Sequence, residues 1–296
     1  MRIRDLFSRS RPVFSFEFFP PKTDEGERKL IETVQRLKEL GPSFVSVTKT
    51  GGKPAEATIE LTARLKHEVG VEAMAHMTCA TAGRVEMSRI FELVRDAGIE
   101  NVLPLRGDPP ADQPGFVRPP DGFGHASELV QFIRERGFSF CLAGAAYPEK
   151  HPEAPSLEAD LRNLQIKVAA GVDFLITQMF YRNADYFAFV ERARAAGITI
   201  PIVAGIMPIT NVAQIERIAA LSGATIPADL QADLDRTRGD EGAAREVGIA
   251  HATTQCRELL AGGAPGIHFY TLNQSPATSA ILRQLRRDHT GGRAPS

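Results

Sequence analysis

A chain of 296 residues with 43% hydrophobic content has enough apolar material for a sizeable core, as one large barrel or two smaller domains. Its 35 basic and 36 acidic residues nearly cancel, which argues against nucleic acid or an anionic membrane surface as partner. Cys79, Cys141 and Cys256 are odd in number and far apart, so neither a disulfide framework nor a thiolate metal site is expected. No apolar run is long enough to span a bilayer, and the basic start, Met1 to Leu6, leads into a short apolar run carrying Glu17, a poor signal peptide. A cytoplasmic protein is the default.

In chain order, Val13-Phe14-Ser15-Phe16-Glu17-Phe18-Phe19 predicts a strand buried on both faces, stopped by Pro20-Pro21. Glu17 therefore lies near its C-terminal end. A carboxylate among aromatics is costly to keep ionised, so its pKa is expected to rise toward neutrality, as a general acid requires. An edge strand with Glu17 in water is the alternative. Thr23-Asp24-Glu25 caps a helix with a stripe of Leu30, Ile31, Val34, Leu37 and Leu40, ended by Gly41-Pro42. Further strands are expected at Phe44–Thr48, Val71–Cys79, Asn101–Leu105, Phe138–Gly144, Val172–Thr177, Ile200–Ala204 and Ile267–Tyr270. The intervening helices run to about Val69 and over Arg84–Ala97, Ala126–Arg136, Ser156–Ala170, Ala184–Ala196, Asn211–Leu221, Ala228–Leu234 and Glu241–Ala261. A last helix covers Ala277–Arg286, and the tail from Thr290 to Ser296 should fray. The long Pro/Gly-rich loop from Arg106 to Gly124 reads as functional or mobile.

Eight short apolar strands, each followed by helix, imply a parallel sheet closed as a (β/α)8 TIM barrel, one catalytic domain over residues 1–296. The alternative is an open doubly wound sheet, but no G-x-G-x-x-G follows the first strand and no G-x-x-x-x-G-K-[ST] appears. A barrel of this kind builds its site at the C-terminal strand ends. Those ends carry Glu17, Thr48, His76 with Thr78, Arg106-Gly107-Asp108, Tyr147, Gln178, and Tyr270 with Asn273, all expected to project into one mouth. Singly, each has a plain structural account: His76 as a bonded core histidine, Arg106 and Asp108 as a rim ion pair. Asp160, Asn163 and Lys167 share one helix face and suit hydroxyls and a phosphate, or form an ordinary solvated face. The seven histidines include no H-x-x-x-H pair and no zinc-like cluster, so no metal is expected. No G-x-S-x-G is present.

Several runs resemble the motifs of the 5,10-methylenetetrahydrofolate reductase family. They are Phe16-Glu17-Phe18-Phe19-Pro20-Pro21-Lys22, Phe44 to Thr48, His76-Met77-Thr78-Cys79, Leu105-Arg106-Gly107-Asp108, Ala146-Tyr147-Pro148-Glu149, His151-Pro152-Glu153-Ala154, Ile176-Thr177-Gln178, Gly205-Ile206-Met207-Pro208 and His268-Phe269-Tyr270-Thr271-Leu272-Asn273. They stand in the family's order from about residue 13 to residue 285.

The resemblance implies a barrel that holds FAD non-covalently and passes electrons from NADH or NADPH to methylenetetrahydrofolate by a ping-pong mechanism, in a homo-oligomer. It implies that Glu17 is the acid that helps open the folate's five-membered ring and that Asp108, the second catalytic carboxylate, lies near the flavin, tunes both flavin and folate, and touches the folate. Gln178 would touch nicotinamide or folate, and Gln214, Tyr270 and Gln274 the folate. Thr48, His76, Arg106, Gly107, His125, Ala126, Tyr147, His151, Ala154, Asp160, Asn163 and Lys167 would line the FAD site with Asp108. His125 stands where many members have tyrosine, Gln274 where an arginine often meets the folate's glutamate tail, and Ile218 near where an aromatic often covers the substrate. Lys49-Thr50-Gly51-Gly52 also differs from the usual loop. No regulatory domain of the eukaryotic kind is expected. Two other functions fit a flavin barrel: a dehydrogenase of another substrate such as proline, and a binding protein that has lost catalysis.

Overall fold

The computed structural model describes residues 1–9, 12–49, 53–108 and 117–290. Eight parallel strands run β1 Val13–Phe18, β2 Phe44–Val47, β3 Ala73–Thr78, β4 Asn101–Leu105, β5 Cys141–Ala146, β6 Phe174–Thr177, β7 Ile202–Ile206 and β8 Gly266–Tyr270. Each pairs with its neighbour in sequence, and β8 returns to β1 with Glu17 opposite Tyr270. The sheet is a closed barrel, so the open doubly wound alternative falls. The helices are α1 Asp24–Lys38, α2 Ala55–Arg64, α3 Arg84–Asp96, α4 Ala126–Glu135, α5 Leu157–Ala169, α6 Asn183–Ala195, α7 Val212–Ser222, α8 Ala228–Asp235, α9 Glu241–Ala261 and α10 Pro276–Thr290.

Strand alternation sorts the apolar residues into two layers. Phe14, Phe16 and Phe18 join Val45, Val47 and the α1 stripe Leu30, Val34 and Leu37 between barrel and helices. Val13, Phe44, Met74, Leu103, Cys141, Phe174 and Val203 fill the barrel interior, together with Ile3 and Leu6. The N-terminal turn Ile3–Leu6 therefore plugs the barrel at the end where the strands begin. The Ile3 N–H donates to Asn101 Oδ1 at 2.8 Å and Arg4 pairs with Asp173 at 2.8 Å. Function is left to the opposite end, where the strands finish.

Several expected boundaries shift. β5 begins at Cys141 rather than Phe138, because Phe138 and Phe140 stack on each other at 5.5 Å and pack on Phe91 before the ladder starts. β3 and β7 likewise begin two residues later than their apolar runs. The helix before β3 ends in a π turn, Leu65–Val69, stopped by Gly70 in the left-handed conformation. The tail beyond residue 290, residues 50–52, and residues 109–116 of the long loop lie outside the described residues.

Candidate active site

Because side chains alternate along β1, Glu17 and Ser15 face the barrel interior while the phenylalanines face the helices. The expectation that Glu17 stands among aromatics is corrected on this point. Its neighbours are polar: Glu17 Oε2 lies 3.4 Å from His268 Nε2 and 3.7 Å from His76 Nε2. The other nitrogen of His268, Nδ1, is 2.7 Å from Ser15 Oγ, and both Ser15 and His268 are fully buried. The Glu17 side chain keeps 20% of its surface exposed, so it can be reached from the mouth. The edge-strand alternative falls, since β1 is paired on both sides.

His76 is buried, and burial lowers it to about 4 against the pull of Glu17 and with a push from His268. It is therefore neutral at pH 7. Its Nε2, like Ser46 Oγ on the adjacent strand, has no hydrogen-bond partner among the described residues. Tyr270 follows His268 by two, packs edge-on against its ring at 5.3 Å, and donates its hydroxyl to Thr177 O at 2.7 Å. Burial, then Glu17 and Tyr147, hold the Tyr270 phenol well above its usual pKa. The Tyr270 ring reaches β6 by crossing Gly205, where a Cβ would sit 2.0 Å from Thr177 O and 2.8 Å from the ring.

The loop after β8 is tied back to β1. Thr271 donates to Glu17 O at 2.5 Å, and Asn273 makes two bonds to the Phe19 backbone, 2.9 and 2.8 Å. Leu272 and Asn273 both take positive φ, 50° and 60°, a conformation asparagine tolerates better than leucine. Thr48 continues β2 by donating its N–H to Phe18 O at 2.8 Å.

Beyond Tyr147 opens a cleft of about 1020 Å³ between the ends of β4 and β5 and the helices α4 and α5. Arg106, Gly107, Asp108, His125, Ala126, Tyr147, His151, Ala154, Asp160, Asn163 and Lys167 all line it; Thr48 and His76 do not. Arg106 does not pair with Asp108. It makes a bidentate pair with Glu153, 2.6 Å on each arm, which leaves Asp108 exposed at the rim. Gly107 has φ 77°, and a Cβ there would meet Thr78 at 2.8 Å. The His151 N–H donates to Asp160 Oδ2 at 3.0 Å, and the His151 ring packs edge-on against Tyr147 at 4.6 Å. Burial lowers Lys167 to about 8, and its ammonium donates to Ala145 O at 2.7 Å. Asn163 is exposed along the same helix. The α5 face is thus the wall of a cleft and not a plain solvated face.

The remaining candidates lie apart. Gln178 ends β6 and folds back so that its Oε1 accepts from Met179 N at 2.9 Å. Gln214 is exposed in the first turn of α7, its N–H capped by Asn211. Gln274 lines a separate small pocket, and Ile218 packs against the cluster between α7 and α8. Ser15, His268 and Glu153 escaped the candidate set. Parity with Glu17 along β1, and with Tyr270 along β8, was the signal for the first two; nothing local marks Glu153 as the partner of Arg106.

A closed (β/α)8 barrel with an acid at its mouth and a long cleft beside it is the frame of a barrel enzyme. The family model for methylenetetrahydrofolate reductase matches residues 2–286. A 5,10-methylenetetrahydrofolate reductase of Pectobacterium carotovorum is 37% identical over 92% of this chain and 89% of its own length. Methylenetetrahydrofolate reductase (NADH) 1 of Arabidopsis thaliana is 39% identical over 96% of this chain, and this chain spans about half of the plant protein's length. A protein from Clostridium thermocellum, described as binding two copies of 5-methyl-5,6,7,8-tetrahydrofolic acid, shares the fold with a TM-score of 0.66 at 15% identity, covering 97% of this chain and 98% of its own. The chain belongs to the methylenetetrahydrofolate reductase family.

Proposed function

We propose that this protein reduces 5,10-methylenetetrahydrofolate to 5-methyltetrahydrofolate with NADH or NADPH, in a ping-pong reaction through FAD held non-covalently in the cleft. The observation that carries the reading is the placement of Glu17 at the barrel mouth, between His268 and His76, at the same strand-end face as that cleft. Family membership supports the reaction.

The cleft residues suit a dinucleotide. Lys167 offers N–H groups beyond the one given to Ala145 O, suited to phosphate oxygens. Asp160 and Asn163 suit hydroxyls, and Gly107 bares backbone at the cleft's barrel end. The buried, unpartnered Nε2 of His76 suits a polar atom of a ring system entering the mouth, since an unmet buried polar atom is costly. FAD bound there would supply hydride transfer from the nicotinamide and then to the folate.

Glu17 acts on the folate. Hydride adds to an iminium, so the closed five-membered ring must open first, and opening leaves charge on a nitrogen. The Glu17 carboxyl group donates the proton that quenches it. His268, itself held by Ser15, fixes the carboxyl from below, and His76 lies beside it. Gln178, Gln214 and Tyr270 are proposed folate contacts. On this reading the enzyme is cytoplasmic and a homo-oligomer.

The purified protein should be yellow and its flavin band should bleach anaerobically with NADH or NADPH. Bleaching by proline and not by either nicotinamide would favour the other dehydrogenase; a colourless protein that cannot be reconstituted with FAD would favour a binding role.

A further inference from the structure

Two helices, α7 and α8, stand between β7 and α9, and their core takes in Met179, Met207 and Tyr270 from the strand-end face. α7 carries Gln214 and Ile218. It is pinned at its start, where Asn211 caps the Gln214 N–H at 2.9 Å and donates its own amide to Glu241 at 2.8 Å. Glu216 accepts from Gln231 at 2.8 Å, which ties α7 to α8. The other end of α7 stops at Gly223, in the left-handed conformation, and residues 223–227 lead into α8. There Glu149, from the loop after β5, grips one residue twice. Thr225 donates its N–H to Glu149 Oε1 at 2.9 Å and its hydroxyl to Oε2 at 2.5 Å. Among the described residues no other hydrogen bond joins this link to another part of the mouth. Pro152 of the same loop lies beside Gly223, where a Cβ would stand 3.4 Å from its ring.

We infer that Glu149 is a positioning residue for the folate: by holding Thr225 it fixes the far end of α7 and so holds Gln214 at the mouth. The inference rests on the folate reading above. A helix held at both ends cannot pivot; released at one end, it can swing about the other. A carboxylate suits the task because its two oxygens accept side by side, and both bonds are charge-assisted. The two sides of the clasp differ in what else holds them. When Glu149 is lost, the loop after β5 keeps its Glu153 pair with Arg106 and its His151 bond to Asp160, so the cleft proposed for FAD keeps its wall. The link at Thr225 has no second tie of this kind. Loss of Glu149 therefore reaches the folate through α7 and leaves FAD in place.

The test follows flavin reoxidation by stopped flow against methylenetetrahydrofolate concentration, with FAD affinity measured on the same variants. Glu149→Ala should raise the half-saturating folate concentration about tenfold, the scale of a lost charge-assisted contact. The rate at saturation, bleaching by NADH or NADPH, and FAD affinity should stay close to wild type. Thr225→Val, which removes the hydroxyl and keeps the N–H, should raise the half-saturating concentration about threefold. Glu149→Lys should lose as much as Glu149→Ala, and the reversed pair, Glu149→Lys with Thr225→Glu, should recover most of that loss, as a direct contact between the two side chains requires. An unchanged half-saturating concentration in Glu149→Ala, an equal loss in both half-reactions, or a reversed pair no better than Glu149→Lys alone overturns the assignment. A wild-type flavin that the folate does not reoxidise overturns the folate reading and the assignment with it.

Discussion

Glu17 Oε2 lies 3.4 Å from Nε2 of His268, and that distance fixes how the barrel floor presents its acid. The imidazole cannot turn freely, because its Nδ1 is held 2.7 Å from Ser15 Oγ and its ring stacks on Phe44 at 6.1 Å. The two contacts together fix the ring with its Nε2 facing Glu17. The carboxyl is thereby held by one oxygen from the wall, with its other face toward the mouth.

The first prediction concerns that support. His268→Ala should slow the reaction with the folate by about tenfold or more, the loss of one positioned hydrogen bond, while bleaching by NADH or NADPH stays close to wild type. His268→Asn, which keeps a hydrogen-bonding side chain, should restore part of the folate rate. Ser15→Ala should act in the same direction and more weakly. Equal loss in both half-reactions would mean that His268 serves the fold and not the acid.

Lys167 gives a pH-dependent prediction. Its pKa is lowered from 10.5 to about 8 by burial, so the folded apoprotein binds fewer protons than the unfolded chain between those values. Stability attributable to this group therefore rises with pH across the window from about 8 to 10.5. The capacity to hold a phosphate falls over the same window, because the charge is being lost. FAD affinity should decline above about pH 8 in the wild type. Lys167→Met should weaken FAD at pH 7 by roughly ten- to hundredfold and flatten that decline. Fluorescence titration of the apoprotein checks both; unchanged affinity would return this lysine to a structural role.

His76 gives a prediction of stability. Folding lowers it from 6.5 to about 4, so between those values the unfolded chain takes up a proton that the folded chain refuses. Stability must then fall as pH drops from 6.5 toward 4, by an amount on the order of a few kcal/mol. Urea denaturation at pH 7 and pH 5 should reveal this loss, and His76→Gln should diminish it. A variant with the same loss as the wild type would assign the acid lability to other groups.

Much of this architecture is legible in the chain itself. The eight apolar strands, the caps and the order of βα units lead to a closed barrel, because each of these signals is local. Glu17, Asp160 and Lys167 are visible as candidates by their place at a strand end or on one helix face. What sequence cannot supply is which face of β1 looks inward. The phenylalanines around Glu17 are adjacent in sequence but point to the helices, and its true neighbours, His268 and His76, come from strands far away in the chain. Arg106 is a similar case: Asp108 is two residues off, yet Glu153 of the following loop takes the guanidinium. The boundary of β5 misled for the opposite reason, since Phe138 and Phe140 are apolar for ring packing before any ladder begins.

Stopped-flow flavin absorbance with Glu17→Gln shows whether Glu17 serves the folate and not the nicotinamide. The amide keeps size and hydrogen bonding but has no acidic proton to give. The variant should bind FAD and bleach with NADH or NADPH at close to the wild-type rate, while reoxidation by methylenetetrahydrofolate falls by at least the ~10²–10⁴-fold of a lost general acid. Reoxidation at the wild-type rate would contradict the account, remove Glu17 from the mechanism, and leave Asp108 as the acid to examine next.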